Sequence, residues 1–300
     1  MDNSIATPSA ASTPSLRASL ELLKPVTWFA PMWAYGCGIV SSGVSISDHL
    51  WTLLAGIVLC GPLVCGTSQA CNDWYDRHVD AINEPHRPIP SGRIPGRWGL
   101  YIALGWTVLS LLVAYSLGLW VFYSTIFGLL MAWAYSAPPL RLKMNGWWGN
   151  SAVGLCYEGL PWFTAAAAMV AARPTNEVII LALLYSLGAH GIMTLNDFKA
   201  VEGDKQMGIA SLPVQLGQDN AAKLACVVMA LPQVAVVGLL SHWNRPFYAG
   251  LVAISLGLQV MCMLRLVDDP KKYAPWYNGT GVTLYVLGML ASAIAIRGGL

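Results

Sequence analysis

Nine apolar stretches of roughly 20 residues follow one another along the chain, at about 27–45, 50–71, 98–117, 119–136, 151–171, 177–196, 221–241, 247–266 and 280–297. A helix needs a run of that length to cross a bilayer. Only 11% of the residues are charged and 56% are hydrophobic, whereas a soluble domain carries about 25% charged residues. The sequence therefore predicts an all-α integral membrane protein with nine transmembrane helices and the lipid bilayer as solvent. A net charge of +2, with no Lys/Arg-rich tract, excludes nucleic acid as a partner.

The seven cysteines fall mostly inside apolar runs and lack metal-like spacing, so they read as small apolar fillers. Residues 1–15 are rich in Ala, Ser, Thr and Pro and contain no base, unlike a secretory signal. They read as a disordered tail of prokaryotic type. The expected organisation is a cytoplasmic tail, 1–24, and a single membrane-embedded domain, 25–300.

Charge asymmetry orients the helices. With the N-terminus in the cytoplasm, 14 of the 17 Lys/Arg lie on the cytoplasmic side, and only Arg173, Arg245 and Arg297 lie outside. This is the positive-inside bias. An odd helix count then puts the C-terminus in the periplasm of a bacterial inner membrane. The inner connections 72–97, 137–150 and 197–220 are long, and long loops tend to carry function. Two of them open on Asn-Asp, at Asn72-Asp73 and Asn196-Asp197, 124 residues apart. That spacing suggests a four-helix unit used twice, about 27–136 and 151–266, with a ninth helix appended.

Seven of the 15 acidic residues sit in these two loops: Asp73, Asp76, Asp80 and Glu84, then Asp197, Glu202 and Asp204. On a continuing helix Asp73, Asp76 and Asp80 share one face, with Asn72 one turn before Asp76. Like charges so placed repel. Mg²⁺ is the natural counter-ion, because it takes a few carboxylates plus substrate phosphates. Asn72, Asp76, Asp80, Asp197 and Asp204 are the candidate metal ligands. The bases nearby complete a diphosphate site: Arg87 and Arg93 in a Pro-rich loop, Arg141 and Lys143 after Pro138-Pro139, and Lys199 and Lys205 around the second acidic set. Asp73, Asp76, Asp80, Arg87 and Lys199 are the candidate catalytic residues.

The strings NDWYDRHVDAINEPHRPIPSGRIP (72–95), YSAPPLRLKMNGWWGN (135–150) and NDFKAVEGDKQMGIASLPVQLG (196–217) resemble the UbiA-type intramembrane prenyltransferases, and within them the chlorophyll and bacteriochlorophyll synthase branch. Arg93-Ile94-Pro95 favours the bacteriochlorophyll members. The resemblance spans nearly the whole chain. It implies nine helices around a central cavity that opens laterally to lipid, with both Asp motifs at its cytoplasmic cap. It further implies transfer of a geranylgeranyl or phytyl group from its diphosphate to the propionate of bacteriochlorophyllide a, within reach of pigment-assembly proteins. Many relatives carry a second Asp four residues before the position of Asp204. Here that position is Ala200, so Asp197 is expected to take over the role, with Gly203 expected to break the helix.

Two ionisable residues fall inside apolar runs. Glu158 and His190 are each expected about 10 Å below the cytoplasmic edge, lining the cavity floor near the pigment or, alternatively, pairing with each other. Gln69, one turn before Asp73, is a further candidate. Chlorophyllide, a quinone or a haem are the alternative acceptors. A transporter is the alternative class, although transporters place coupling charges near the bilayer midplane rather than at its edge.

Overall fold

The computed structural model describes residues 13–297. Most of the expected disordered tail, residues 1–12, lies outside the described residues. Among the described residues the chain is all-helical apart from one isolated bridge between Asn145 and Ala210. It opens on a short amphipathic helix, α1 (Leu16–Leu22), whose N-terminus is capped by Ser15 Oγ accepting from Ala18 N. This helix follows the stretch expected to be disordered, 1–15, within the expected cytoplasmic tail 1–24, and it buries Ala18 and Leu22.

Among the described residues eight helices are long and apolar enough to span a bilayer: α3 (Ser47–Asn83), α4 (Trp98–Ser116), α5 (Leu119–Ser136), α6 (Gly146–Val170), α7 (Asn176–Asp197), α10 (Gln218–His242), α11 (Pro246–Asp268) and α12 (Pro270–Ala295). The first apolar run forms α2 (Phe29–Ser41), which at 13 residues is shorter than a full crossing. The chain is a multi-pass integral membrane protein, and the count of nine holds only if this short helix is included. Two further short helices, α8 (Val201–Gln206) and α9 (Leu212–Leu216), belong to the connection after α7.

The helices meet through small residues, as expected where lipid removes the usual hydrophobic drive between them. Gly38 of α2 lies against the Trp162 carbonyl, and Gly154 of α6 against the Ser186 carbonyl, with no room for a Cβ at either. Several polar groups inside the bundle are paired. Gln233 and Gln259 exchange amide hydrogen bonds at 3.0 and 2.9 Å, and Trp162 Nε1 donates to Ser41 Oγ at 3.0 Å. Large apolar side chains such as Leu112, Leu231, Ile254 and Leu264 point outward.

Two of the long helices widen into π turns, at Leu59–Cys65 in α3 and Leu155–Gly159 in α6. Proline explains both positions. Pro62 lies inside the first and Pro161 just after the second, and a proline cannot donate the i→i−4 bond. Each π turn adds a residue and so rotates everything beyond it. This rotation decides which side chains reach the interior cavity.

Candidate active site

Helix α3 runs on without a break through the first acidic motif and ends at Asn83. At about 100° per residue Asn72, Asp76 and Asp80 fall within about 80° of one another, and Asp73 lies about 60° from Asp76 but only about 20° from Asp80, so angular position alone does not set Asp73 apart. The structure does separate them. Asn72, Asp76 and Asp80 line a cavity of about 500 Å³ at the end of the bundle, and Asp73 does not. Asp73, 1% exposed, instead receives Lys24 Nζ on Oδ1 at 2.6 Å and has Arg87 Nη1 at 3.5 Å.

The opposite wall comes from the second motif. Asp197 ends α7, a turn follows over 198–200, and Asp204 lies in α8. Gly203 does not break the helix as expected; it sits inside α8, and the break falls earlier, between α7 and α8. Asp197, Ala200 and Asp204 all line the cavity. Asn150 Nδ2 donates to Asp197 Oδ2 at 3.3 Å and to Thr194 Oγ1 at 3.2 Å, which fixes the Asp197 side chain. Burial pushes the Asp204 carboxyl above the usual carboxylate range.

Three bases line the same cavity: Arg87, Arg141 and Lys143. Lys143 Nζ donates to both oxygens of Asp76, at 2.6 and 2.5 Å, with Arg141 Nη2 3.6 Å from Oδ1. Arg87 Nη1 donates to Asp80 Oδ2 at 2.9 Å. Burial holds the Lys143 ammonium below its ordinary value, partly offset by Asp76 beside it. The loops carrying these groups are stapled together, since Gly146 N donates to the Ala210 carbonyl at 2.8 Å and Ala210 N to the Met144 carbonyl at 2.9 Å.

The other predicted site residues lie elsewhere. Arg93 is exposed and pairs with Glu21 of α1 through both guanidinium nitrogens, at 2.5 and 2.7 Å. Lys199 is exposed and absent from the cavity wall. Glu202 and Lys205 pair with each other at the surface. Glu158 and His190 are buried but line none of the cavities described here. Glu158 sits in the second π turn, whose widening brings Cys156 and Tyr157 to the cavity in its place. His190 Nδ1 is 3.0 Å from Ser151 Oγ, its ring rests on Trp147, and Glu158 Oε2 and His190 Nε2 have no hydrogen-bond partner among the described residues, so the two do not pair. Lys24 escaped the sequence reading altogether. Its only signal was that of a lone base just before the first apolar run.

Below the acidic cavity the lining changes by degrees. A second cavity, about 210 Å³, shares Asn72, Tyr135, Asn150 and Asp197 with the first and adds Ser68, Gln69 and Tyr157. Tyr135 and Tyr157 then continue into an apolar pocket that contains Cys65, Gly128 and Cys156. Gly128 and Cys156 lead on to Ser124 and Leu160, which open on a lipid-facing groove of about 330 Å³ lined by Trp120, Phe127 and Phe163. A stripe that winds along α3 records the same gradient. Val64, Ser68, Asn72, Asp76 and Asp80, each four residues apart, pass from apolar through hydroxyl and amide to carboxylate.

Among the described residues no three His, Cys, Asp or Glu side chains converge as a metal centre, and Asp76 and Asp80 pair with Lys143 and Arg87. The donor chemistry nevertheless suits a hard cation. Five acids (Asp76, Asp80, Glu84, Asp197, Asp204) face three bases across the cavity, and Asn72 adds an amide oxygen. An anionic diphosphate cannot enter that surplus of negative charge unaided, and oxygen-only ligands are those Mg²⁺ prefers.

The comparisons with known proteins agree with this geometry. The bacteriochlorophyll synthase 33 kDa chain of Cereibacter sphaeroides is 61% identical over 96% of this chain and 95% of that one. The chloroplastic chlorophyll synthase of Arabidopsis thaliana is 40% identical over 92% of this chain and 73% of its own length. A UbiA homologue from Archaeoglobus fulgidus, solved bound to DMAPP and Mg²⁺, shares the fold with a TM-score of 0.72 at 19% identity, over 93% of this chain and 99% of that one. Residues 25–292 match the UbiA prenyltransferase family, and the chain belongs to it.

Proposed function

We propose that the protein esterifies the propionate of bacteriochlorophyllide a with a geranylgeranyl or phytyl group taken from the prenyl diphosphate, releasing diphosphate. The observation that carries the reading is a cavity with two Asp-bearing walls and three bases, next to a series of smaller pockets that share lining residues and become apolar toward a lipid-facing groove. The 61% identity with a bacteriochlorophyll synthase chain, against 40% with a chlorophyll synthase, supports the acceptor class.

The diphosphate belongs in the upper cavity. Arg87, Arg141 and Lys143 would turn from their carboxylates toward its oxygens, bidentately in the case of the guanidiniums. Asn72, Asp76, Asp80, Asp197 and Asp204 would hold magnesium, with Asp197 serving where Ala200 has no carboxylate. When bound, the ion supplies electrostatic stabilisation of the charge that collects on the departing diphosphate. Asp73 has a different part: buried, it anchors Lys24 and orients Arg87.

An acceptor carboxylate oxygen forms a bond to C1 of the prenyl chain as the bond from C1 to the diphosphate oxygen breaks. The diphosphate leaves with the electron pair. The acceptor, with a carboxyl pKa near 4, is already ionised at neutral pH, so no general base is required. Tyr135 and Tyr157 stand where the developing allylic cation must lie, and their ring faces can stabilise it in the absence of water. The tail runs down the apolar path past Gly128.

The bias of bases supports an N-terminus and an acidic cavity on the cytoplasmic side of a bacterial inner membrane. The two motifs would be the contributions of two related four-helix units, 27–136 and 151–266. A diphosphate-release assay tests the reading: release from geranylgeranyl diphosphate should require both Mg²⁺ and bacteriochlorophyllide. Equal release without the acceptor would contradict it.

A further inference from the structure

We propose that Ser68, Gln69 and Tyr157 form the carboxylate subsite of the acceptor, one helical turn deeper than the diphosphate pocket. The proposal rests on the prenyl-transfer reading above and adds to it where the nucleophile is held.

An acceptor carboxylate that attacks carbon needs hydrogen-bond donors that neither neutralise nor protonate it. A Lys or Arg would do the first by quenching the lone pair it must donate. The second cavity has no base on its wall, yet it is rich in neutral donors. The Tyr157 hydroxyl accepts from Gln69 Nε2 at 3.2 Å, and its other neighbour is the Cys65 sulfur at 3.4 Å. A thiol is a poor partner, so the phenolic proton is available to a stronger acceptor. Gln69 retains its second amide proton, and the Ser68 hydroxyl makes no hydrogen bond among the described residues. The one carboxylate on the wall, Asp197, is held by Asn150 at the border with the acidic cavity. Repulsion from Asp197 therefore favours an incoming carboxylate at the neutral donors Ser68, Gln69 and Tyr157 of the same wall.

The spacing suits the reaction. Ser68 precedes Asn72 by four residues of α3, about 6 Å of rise. That interval accommodates a leaving oxygen, C1 and a nucleophile at the 3–3.5 Å approach expected of a near-attack geometry. Tyr157 reaches this level because of the π turn in α6.

Purified protein carrying Tyr157→Phe or Gln69→Leu tests the assignment by steady-state kinetics toward each substrate separately. Removing one hydrogen bond to a charged group should lower kcat/KM for bacteriochlorophyllide about ten- to a hundredfold, while KM for geranylgeranyl diphosphate stays within about twofold. A second readout does not depend on turnover. Wild-type protein should bind the free acid in preference to its propionate methyl ester, and both variants should lose that preference. Variants with unchanged acceptor kinetics, or with equal losses toward both substrates and the acid still preferred, would overturn the subsite. If the wild-type protein forms no ester at all, the functional reading fails, and the subsite falls with it.

Discussion

Lys24 and Asp73, 49 positions apart, form a 2.6 Å ion pair that fastens the residue just before the first apolar run to the first carboxylate of the acidic motif. Asp73 is buried, and its Oδ2 has no hydrogen-bond partner among the described residues, so the carboxylate depends on Lys24 and on the more distant Arg87. Removing one partner of such a pair leaves a charge in a poor solvent. Lys24→Met should destabilise the protein by about 2 kcal/mol. The double variant Lys24→Met/Asp73→Asn should recover much of that loss. Thermal midpoints in detergent check the coupling, and strictly additive losses would show that the pair is not a unit.

Asp76 and Asp204 face each other across the cavity, whereas Glu202, two residues from Asp204, points to solvent beside Lys205. Asp76→Ala and Asp204→Ala should each lower kcat by about a hundredfold or more in protein that still inserts and folds. Glu202→Ala should remain within about twofold of wild type, as surface changes usually do. Chelation with EDTA should abolish turnover in wild type, and added Mg²⁺ should restore it. A Glu202 variant as impaired as Asp204→Ala would move the second motif's working face.

Arg87 and Arg93 belong to one Pro-rich loop but have different partners. Arg87 reaches Asp80 inside the cavity, and Arg93 reaches Glu21 on the surface. Arg87→Ala should cost about ten- to a hundredfold in kcat/KM for the prenyl diphosphate. Arg93→Ala should leave turnover near wild type while loosening α1, seen as faster proteolysis of the N-terminal segment. Kinetic equivalence of the two variants would contradict the placement.

Gly128 lines the narrow part of the apolar path. A Cβ there would stand 2.9 Å from Leu160 Cδ2. Gly128→Val should therefore narrow the path at a fixed depth. Activity with geranylgeranyl diphosphate should fall about tenfold, while the shorter geranyl diphosphate loses less than about threefold. Equal losses for the two donors would show damaged packing rather than a narrowed tail path.

What could be read in the sequence followed from local periodicity. Apolar runs gave the spanning helices. The i, i+4, i+8 spacing of Asn72, Asp76 and Asp80 gave one wall of the cavity, since α3 continues as a regular helix through the motif. Asp73 lies within about 20° of Asp80 on an ideal helix, yet it is buried against Lys24 and Arg87, and no local spacing encodes that contact. Glu158 was misplaced for a related reason: α-helical counting does not anticipate the π turn that advances Tyr157 into the interior. The Lys24–Asp73 and Arg93–Glu21 pairs join segments 49 and 72 positions apart, and no local pattern encodes them. Lys199 flanks the second acidic set in sequence, but the chain turns at 198–200 and leaves it exposed outside the cavity. The sequence places a helix end at Gly203, yet the residue lies inside the short helix α8, where one glycine costs only about 1 kcal/mol relative to Ala.

The most direct test is the identity of the product. Membranes containing the protein are incubated with Mg²⁺, geranylgeranyl diphosphate and an equimolar mixture of bacteriochlorophyllide a, chlorophyllide a and a quinone precursor, and the lipid extract is resolved by mass spectrometry. The proposed function predicts geranylgeranyl bacteriochlorophyllide as the principal product, absent when Asp76 is replaced by Ala. A prenylated quinone, or a bacteriochlorophyllide ester formed equally well by the Asp76→Ala protein, would contradict it.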